Sequence, residues 1–245
     1  MLLLYSGGKS LSEIAKQLDR RKSTIHYHTR KAFGRIIEPL RINEEPTMKL
    51  GEFLGLFAAD GCFYIDSKRY HYTLTITLSA YQMEYARRVS EMIERILGRR
   101  ARITVTNKRT ISIVLRGKQI LPFLRRYLWW RGKRTHTIRL NEAALRMNRQ
   151  FLRGVIRGLV AGDGSIYVPR RRISFGVVSK RLAEQYATIL RRFGIPSKSY
   201  PVRYRGKRTL HNVYVTGFGN LRRFQLKIGL TDPAKERQLD EAMRR

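Results

Sequence analysis

The sequence predicts an α+β protein with two pseudo-symmetric halves, each with the element order αββαββα, and a small helical segment in front of them. Three observations lead to this prediction. A stretch of eleven residues occurs twice, the same succession of strand-like and helix-like runs follows both copies, and the first 45 residues match neither copy. Each half would then hold a four-stranded antiparallel sheet, and the two helix-like repeats would pack the halves together.

The repeated stretch reads GLFAADGCFYI at residues 55–65 and GLVAGDGSIYV at residues 158–168. The copies share six of eleven residues, and the other five pairs are chemically similar. Each copy contains an apolar, helix-like run that ends in an aspartate and a glycine, and Asp60 and Asp163 are 103 residues apart. Repetition of this kind indicates a duplicated unit.

The runs that follow each copy support the duplication. Alternating β-branched residues predict two strands, an apolar pattern at helical spacing predicts a helix that ends at a glycine, and a second hairpin and a closing helix complete the unit. After the first copy these runs are residues 62–79, 81–98, 101–106, 110–115 and 118–130. After the second copy they are residues 165–179, 180–194, 197–204, 211–217 and 220–229. Trp129 and Trp130, at the end of the first closing helix, are expected in the core.

The first 45 residues contain two helix-like runs, at residues 11–18 and 23–33. Ser10 and Ser23 stand where N-caps would stand, and the apolar junction would consist of Ile14, Leu18 and Ile25. The pattern resembles the helix-turn-helix of DNA-binding regulators, with residues 23–31 as the recognition helix. The turn lacks the glycine that is common there, and an ordinary helical hairpin is the alternative. The expected DNA contacts are Ser23, Thr24, His26 and Arg30.

These patterns divide the chain into four parts. We name them the N-terminal segment (residues 1–45), half 1 (46–134), the linker (135–147) and half 2 (148–245). The proline-containing stretch around Pro46 separates the N-terminal segment from half 1.

Charge is the strongest feature of the composition. The 51 lysines and arginines exceed the 18 acids by 33, and the pI is about 11.2. Such an excess is costly through self-repulsion, and a polyanion, first of all nucleic acid, is the usual reason for it. An anionic membrane is the second candidate, but no apolar run approaches the roughly 18 residues of a spanning helix. The single cysteine, Cys62, excludes an intrachain disulfide and cysteine-rich zinc sites. We expect an intracellular protein of the cytoplasm or nucleoid, and a monomer.

The two aspartates stand at unusual positions, because the C-terminus of a helix already carries partial negative charge. A single Asp-Gly pair would indicate a hairpin turn. The repeated small residues favour another interpretation: Gly55 and Ala59 share one helix face, as do Gly158 and Gly162, so that the two helices can pack closely and in parallel. Their ends would then bring Asp60 and Asp163 side by side. Two adjacent carboxylates require compensation, which a hard divalent cation such as Mg²⁺ can supply.

At these residues the chain resembles the LAGLIDADG homing endonucleases. The nine-residue family motif corresponds to FLGLFAADG at residues 53–61 and to IRGLVAGDG at residues 156–164. Two motifs about 100 residues apart resemble the single-chain, pseudo-symmetric members of the family, and the resemblance extends from about residue 48 to residue 245. The sixth motif position, often aspartate in the family, is occupied by Ala58 and Ala161.

The resemblance implies an activity and a set of metal ligands. Family members cut both strands of duplex DNA across the minor groove and leave short 3′ overhangs, with their sheets in the major groove. Asp60 and Asp163 would bind the catalytic metals with the carbonyl groups of Ala59 and Gly162. The expected cofactor is Mg²⁺, as two or more ions, with Mn²⁺ as a substitute. The expected partner is a double-stranded DNA site of about 20 base pairs.

The family also uses a basic or amide residue near the metals, and here the two halves differ. Lys180 follows the second strand of half 2, but the matching position in half 1 is Ser79. Arg116 and Lys118 could serve half 1, although Gly217 and Gly219 stand at the corresponding positions of half 2. Contacts with the DNA backbone are the alternative role for Lys180, Arg116 and Lys118.

Basic residues follow strands, turns and helices alike, as expected of a surface that binds a polyanion. Residues 95–141 hold fourteen lysines and arginines and residues 185–231 hold ten, with no acid in either range. Arginine can read guanine, whereas lysines and hairpin tips would contact phosphates. The predicted DNA contacts of the two halves are Lys68, Arg69, Arg109, Arg170, Arg172, Arg203, Arg205, Lys207 and Arg208.

Two other function classes remain open on the sequence. The chain could be an intron RNA maturase on the same fold, or a non-cleaving DNA-binding regulator that combines this fold with a helix-turn-helix. Because two motif acids are present, we favour the metal-dependent endonuclease over both.

Overall fold

Two parallel helices, one from each copy of the repeated stretch, form the centre of the molecule. The structure is a computed structural model of the chain and describes residues 1–34, 39–106, 109–203 and 209–244. Within those ranges, no helix combines the length and the apolar character needed to cross a membrane. The predicted succession αββαββα is confirmed in both halves.

Half 1 consists of one motif helix, a four-stranded antiparallel sheet and two further helices. Its elements are α4 (Met48–Asp60), β1 (Gly61–Asp66), β2 (His71–Ser79), α5 (Met83–Leu97), β3 (Arg102–Thr106), β4 (Thr110–Arg116) and α6 (Ile120–Tyr127). A short 3₁₀ turn (Ala80–Gln82) precedes α5. The strands lie in the order β1-β2-β4-β3.

Half 2 repeats this arrangement. Its elements are α9 (Arg149–Asp163), β7 (Gly164–Tyr167), β8 (Arg172–Val177), α10 (Lys180–Arg192), β9 (Ser199–Arg203), β10 (Thr209–Thr216) and α11 (Phe218–Lys227). The strand order β7-β8-β10-β9 matches that of half 1. A final helix, α12 (Pro233–Arg244), packs against β7, and the sequence patterns did not predict it.

The linker is structured rather than extended. Its elements, with the strand that precedes them, are β5 (Leu128–Trp129), α7 (Arg134–Thr137), β6 (Arg139–Leu140) and α8 (Glu142–Leu145). β5 pairs with β6 in a small antiparallel ribbon. The expectation of two core tryptophans is wrong for Trp129, which is 39% exposed and stacks with Arg139, whereas Trp130 packs against the core beside Phe57.

The N-terminal segment holds three helices, α1 (Leu2–Ser6), α2 (Leu11–Gln17) and α3 (Lys22–Phe33). Ser10 caps α2 in a capping box with Glu13, as predicted. The predicted cap at Ser23 is wrong, because α3 begins at Lys22 and its N-cap position is Arg21, two residues before Ser23, without a side-chain cap. Ile14 and Ile25 are buried as expected, but Leu18 is 38% exposed and does not join them.

The strands alternate between two environments. In β2, Leu74, Ile76 and Leu78 are buried against the helices, and the threonines between them lie on the outward face of the sheet. The second strand of half 2 alternates in the same way, with Ile173 and Phe175 buried. Each sheet therefore has an apolar face on the core and a polar outward face.

The motif helices α4 and α9 pack so closely that their backbones touch. A Cβ atom on Gly55 would overlap the carbonyl oxygen of Val155, and one on Gly158 would overlap that of Glu52. Gly51 and Gly154, which the motif spacing did not single out, make the same kind of contact one helical turn earlier. The predicted parallel packing is confirmed, and it extends over three turns of each helix.

Candidate metal and nucleic-acid site

Each motif helix ends at its aspartate, and a strand begins at the next residue. Gly61 and Gly164 both have extended backbone, with ψ of 151° in each case. The Asp-Gly pairs are therefore helix ends and not hairpin turns. Glycine is required by space: a Cβ on Gly61 would lie 2.7 Å from the Phe57 Cα, and one on Gly164 would lie 2.6 Å from the Val160 Cα. The strand thus folds back tightly on the last helical turn in both halves.

The two carboxylates are close neighbours across the helix interface. Asp60 reaches the partner helix, because a Cβ on Gly162 would stand 2.8 Å from its Oδ2 atom. Burial and, second, the charge of Asp60 raise the pKa of Asp163 to about 6. Burial likewise raises the pKa of Asp60, although the charges of Lys235 and Arg134 oppose the shift. Metal-free protein thus holds these groups in an unfavourable electrostatic environment.

Asp163 is crowded by protein atoms but open on one side. More than a third of its surface is exposed to solvent, whereas Asp60 is partly buried. The crowding accounts for the loss of hydration that raises its pKa. The exposed surface leaves Asp163 accessible to a cation from solvent.

Two cations that the sequence patterns did not reveal close the ends of the motif helices. Arg134 donates to the carbonyl oxygens of Phe57 and Ala58, at 2.9 Å each, and to that of Ala59 at 3.4 Å. Lys235 donates to the carbonyl oxygens of the last turn of α9, at distances of 2.7, 2.6 and 3.1 Å. Those oxygens belong to Val160, Ala161 and Gly162. Each cation satisfies carbonyl groups that a helix end leaves without partners.

Arg134 and Lys235 are equivalent by the duplication. They follow the aspartate of their own half by 74 residues (134 − 60) and 72 residues (235 − 163). Both also come after the closing helix of that half, α6 or α11. The signal available in the sequence was therefore a basic residue at matching positions of the two repeats. Local charge patterns do not separate it from the many other basic residues.

Each half holds in place the segment that carries the cation of the other half. The amide of Gln185 in α10 pairs with the backbone of Leu140, at 2.9 and 2.8 Å, six residues after Arg134. The amide of Gln82, at the start of α5, donates to Asp232 at 2.7 Å, three residues before Lys235. These buried contacts position the segments from which Arg134 and Lys235 reach the ends of the motif helices.

Arg134 and Lys235 partly compensate the negative charge of the two aspartates. Their charges lower the pKa of both aspartates, and burial in turn lowers the pKa of Arg134 and of Lys235. The pKa of Asp163 nevertheless stays raised, so compensation is incomplete. A further positive charge would stabilise the pair.

The donor set fits a hard divalent cation. It consists of two carboxylates, Asp60 and Asp163, and the nearby carbonyl groups of Ala59 and Gly162, whose oxygens also accept from Arg134 and Lys235. Among the residues that the structure describes, no group of three or more histidine, cysteine, aspartate or glutamate side chains gathers at one place. A site with few protein ligands suits Mg²⁺, which keeps several waters and uses substrate phosphates as ligands.

No described contact joins the predicted accessory residues to the carboxylates, and their charges are not among those that shift the pKa of either aspartate. Lys180 begins α10 and lies 3.9 Å from Glu184 of the same helix. Arg116 is in register with Thr73, three residues along the sheet from the partner of Gly61. Lys118 donates to the carbonyl oxygen of Lys31 in the N-terminal segment at 2.6 Å. A catalytic role for these three residues stays a prediction. Arg134 and Lys235 are the basic residues whose charges lower the pKa of both aspartates.

The predicted DNA contacts of the halves lie at strand ends and turns. Lys68 and Arg69 occupy the β1–β2 turn, where Arg69 pairs with Asp66, and Arg109 ends the β3–β4 turn. Arg170 lies in a 3₁₀ turn before β8, and Arg203 ends β9 on the edge of the sheet. Arg205, Lys207 and Arg208 lie outside the described residues.

Arg172 is the most enclosed of these basic residues. Its guanidinium lies over the rings of Tyr214 at 4.9 Å and Tyr167 at 5.8 Å, on the outward face of the half 2 sheet. Its Nε atom is buried, and no described group accepts a hydrogen bond from it. The two tyrosines hold the side chain in one orientation on a face whose other members, such as Ser165 and Ser174, are polar.

The predicted contacts in the N-terminal segment are on α3. Ser23 and Thr24 are exposed in its first turn, His26 is half-buried, and Arg30 lies over the ring of Tyr70 at 5.4 Å.

Comparison with known proteins identifies both repeats. The family model described as the LAGLIDADG-like domain matches residues 47–127 and residues 150–229. Each match begins at or near a motif helix and ends at or beyond the closing helix of the half.

Two curated proteins are similar to this chain over part of their length. One is the replication factor C small subunit of Thermococcus kodakarensis, 28% identical over 198 residues. The other is elongation factor 2 of Methanopyrus kandleri, 28% identical over 211 residues. The matches cover 80% and 84% of this chain but only 21% and 15% of the relatives. The chain thus spans about a fifth or less of either protein.

Solved structures share the fold at low sequence identity. I-DmoI in complex with DNA and Ca is 15% identical, with a TM-score of 0.62, and the match covers 80% of this chain and 99% of that one. The N-terminal LAGLIDADG domain of DUF199/WhiA is 16% identical, with a TM-score of 0.50 and coverage of 78% and 88%. At such identities the likeness concerns the fold alone.

Proposed function

This chain belongs to the LAGLIDADG family as a two-motif member, and from that premise we propose that it is a site-specific endonuclease for double-stranded DNA. It would act with divalent cations, Mg²⁺ first and Mn²⁺ as a substitute, and would cut both strands of one site. The observation that carries the proposal is the pair of neighbouring carboxylates, Asp60 and Asp163, at the ends of two parallel helices. Folding alone does not require two acids at these helix ends. Residues that are unfavourable for the local structure tend to mark functional sites.

The chemistry of the site supports hydrolysis of a phosphodiester. The pKa of Asp163 is raised to about 6, so the carboxylate pair gains from a bound cation. The protein around the pair carries an excess of 33 positive charges, which favours a polyanionic substrate. An acidic, metal-binding centre within a basic surface suits DNA cleavage better than DNA binding alone, because a binding protein has no use for the acids.

The comparisons support the same choice. The I-DmoI structures are complexes with DNA and Ca, with target DNA in the presence of Mg, and with DNA and Mn. The two curated relatives, a replication factor and an elongation factor, have different functions but share similarity to one stretch of about 200 residues. A segment found in such different proteins behaves as a unit with a function of its own, as expected of a homing endonuclease.

In the proposed reaction, the chain's own residues bind and position. The outward faces of the two sheets bind the major groove. There Arg172 would donate hydrogen bonds to a base edge, and the basic turns would contact phosphates. Asp60 and Asp163, with the carbonyl groups of Ala59 and Gly162, would hold the divalent cations. A bound divalent cation would activate water and stabilise the charge of the leaving oxygen. Arg134 and Lys235 fix the ends of the helices and add positive charge beside the phosphates to be cut.

The same proposal assigns a role to each part of the chain. Residues 46–134 and 148–245 would each bind one half of a site of about 20 base pairs, roughly one helical turn each. Residues 135–147 would connect them and carry no base contact, and one chain would suffice for activity. Residues 1–45 would bind further DNA.

Selection of cut sites tests the proposal and reveals the target sequence in one experiment. The full chain is incubated with a random duplex library in Mg²⁺, and the cut ends are sequenced. We expect one consensus site, cut in both strands with short 3′ overhangs. Asp60→Asn and Asp163→Asn should each abolish cutting and leave binding of the selected site within a few-fold of the wild type.

Glu142→Gln is the matched control, because it removes the same charge from an exposed position of the linker, which the proposal gives no base contact. It should cut like the wild type. Undiminished cutting by Asp60→Asn or Asp163→Asn would overturn the proposal. Tight binding of one duplex without cutting by the wild type would indicate a regulator, and rescue of intron splicing without DNA cutting would indicate a maturase.

A further inference from the structure

The N-terminal segment is a small folded unit with its own core. Tyr5, Ile14 and Ile25 are buried together, and Leu11 and Phe33 pack against them. Four residues connect α2 to α3, and Asp19 among them has φ of 47°. Aspartate tolerates this left-handed conformation better than most residues, so it replaces the glycine common in such turns. The two helices are therefore joined as in a helix-turn-helix.

This unit is docked on half 1 through the C-terminal end of α3. The backbone N–H of Lys118 donates to the carbonyl oxygen of Phe33 at 3.2 Å, and its ammonium donates to that of Lys31 at 2.6 Å. Arg30 lies over the ring of Tyr70 in the β1–β2 turn. These contacts anchor the last turns of α3, whereas Ser23, Thr24, Tyr27 and His28 in its first two turns are exposed.

The docking site is at the outer end of the half 1 sheet. Strand β1 begins at Gly61, beside the acid pair, and ends at Asp66, five residues or roughly 17 Å farther out. The turn with Tyr70 comes next, and the N–H of Gly117 donates to the carbonyl oxygen of Tyr72 at the same end. Helix α3 therefore contacts half 1 at the outer end of the sheet that the proposed function places on DNA.

The free part of α3 carries polar and basic groups suited to DNA. Ser23, Thr24, Tyr27 and His28 are exposed, with hydroxyl and imidazole groups that can donate or accept hydrogen bonds. Residues 20–34 include five lysines and arginines and no acid. Among residues 1–34, seven basic residues exceed two acids, a net charge of +5 (7 − 2). The Nε atom of Arg30 is buried, and no described group accepts a hydrogen bond from it.

We propose that α3 is a recognition helix that binds the major groove just beyond the base pairs covered by the half 1 sheet. The recognition site is then longer on the half 1 side than on the half 2 side. Ser23, Thr24 and Tyr27 contact base edges, since recognition helices use their N-terminal residues for this purpose. The inference rests on the proposed function in one respect, since it takes the half 1 sheet to bind the adjacent base pairs; it does not depend on cutting.

Footprinting of an uncut complex tests the inference separately from cleavage. The double variant Asp60→Asn/Asp163→Asn of the full chain is bound to a duplex selected from the random library by the binding of this variant alone, without cutting. The protected base pairs are then mapped on both strands. Adding Thr24→Ala, Tyr27→Ala and His28→Ala removes exposed groups of α3 and spares its buried residues, Ile25 and Thr29. We expect protection to shorten on the half 1 side alone and affinity to fall roughly tenfold or more, as for the loss of one good base contact.

A control pair on α5 preserves the net charge. Arg87→Ala/Glu91→Ala changes exposed residues of a helix that packs on the apolar side of the same sheet. It should leave the footprint and the affinity unchanged. A second measurement uses cleavage-competent protein: the consensus obtained with the α3 variant should keep its centre and lose base preference at the half 1 flank.

The outcomes separate the two proposals. An identical footprint and an identical flank preference with and without the α3 substitutions would overturn the recognition helix, whatever the cleavage result. A one-sided shortening in a protein that never cuts DNA would support the recognition helix and overturn the endonuclease.

Discussion

Gly162 of α9 lies directly against Asp60 of α4, so that a Cβ on the glycine would stand 2.8 Å from the carboxylate oxygen Oδ2. The contact joins two properties of the protein at one point. The absence of a side chain at Gly162 lets the helices approach, and that approach brings the second carboxylate, Asp163, next to the first. Packing and site geometry are therefore set by the same residues, and changes in one should be visible in the other.

The helix interface should not tolerate a single methyl group. Gly158→Ala places a Cβ on the backbone of α4, where it would overlap the Glu52 carbonyl and lie 2.4 Å from the Leu56 nitrogen. We expect the free energy of unfolding to fall by about 3 kcal/mol, the upper end for overpacking, since a backbone cannot move aside like a side chain. Gly219→Ala in α11 is the control, because nothing lies within 4 Å of its added Cβ. Urea unfolding should show no loss for the control, and an unchanged midpoint for Gly158→Ala would contradict the packing.

The cation that closes α9 should matter for both stability and cutting. Lys235→Met leaves three carbonyl oxygens without their donor, and we expect a loss of about 1–3 kcal/mol in the free energy of unfolding. It also removes positive charge beside both aspartates, so single-turnover cutting of the selected site should slow by at least tenfold. Lys235→Arg should recover part of the rate.

Lys227→Met provides the matched control for Lys235. It removes a lysine that caps another helix end, through the carbonyl oxygen of Phe193 at 3.0 Å, and its charge is not among those that shift the pKa of either aspartate. It should lower stability but not the cutting rate of the folded protein. Equal loss of rate in the two variants would assign the effect of Lys235 to stability alone.

The raised pKa of Asp163 predicts how the stability of metal-free protein depends on pH. Between the ordinary value of 3.8 and about 6, the folded chain holds more protons at this carboxyl than the unfolded chain does. Its contribution to the free energy of unfolding therefore falls as the pH rises through that interval. Asp163→Asn should remove this slope and be more stable than the wild type at neutral pH without metal. Unfolding midpoints measured across the interval in a chelator check both statements.

Glu13 predicts the opposite sign in the same experiment. Its capping-box hydrogen bonds with Ser10 lower its pKa below the ordinary value of 4.5. Its stabilising contribution is thus present above that value and is lost as the pH falls. Glu13→Gln should remove a slope of that direction, and a common slope change in both variants would contradict the assignment.

Mg²⁺ should stabilise the folded protein by an amount that grows with the logarithm of its concentration relative to its Kd. A ligand that binds only the folded state at 100 times its Kd adds about 2.7 kcal/mol to the free energy of unfolding. We expect a rise in Tm with Mg²⁺ for the wild type and for Glu142→Gln, and little or none for Asp60→Asn/Asp163→Asn. An equal rise in the double variant would mean that the ion binds elsewhere.

The duplication made most of the fold predictable from the sequence. Alternation in β2 and the helical spacing of α5 were strong enough to fix both elements, and the second copy repeated the evidence. The small residues Gly55 and Gly158 predicted the parallel helix pair, because only close backbone contact requires such spacing. Helix α12 was not predicted, because its sequence is polar and it has only two buried residues, Leu239 and Ala242.

The site was predictable only where the chemistry was repeated along the chain. Asp60 and Asp163 stood out because each copy placed an acid at the same unfavourable position. Arg134 and Lys235 did not, since they differ in type and reach the helix ends through buried contacts of Gln185 and Gln82 in the other half. Such long-range contacts leave no local pattern. The predicted cap at Ser23 was wrong for a simpler reason, since the N-cap position of α3 is Arg21, two residues earlier.

The origin of Arg134 and Lys235 has a consequence for how this architecture can arise and be rebuilt. Each cation comes from the same repeat as the helix that it closes, so one repeat contains an acid, a cation and a glycine-lined helix face. Two identical copies of a single repeat, related by a twofold axis, could therefore form a complete centre from separate polypeptides. Gene fusion would join such a pair without inventing any new chemistry, and would free each copy to adapt to a different DNA half-site.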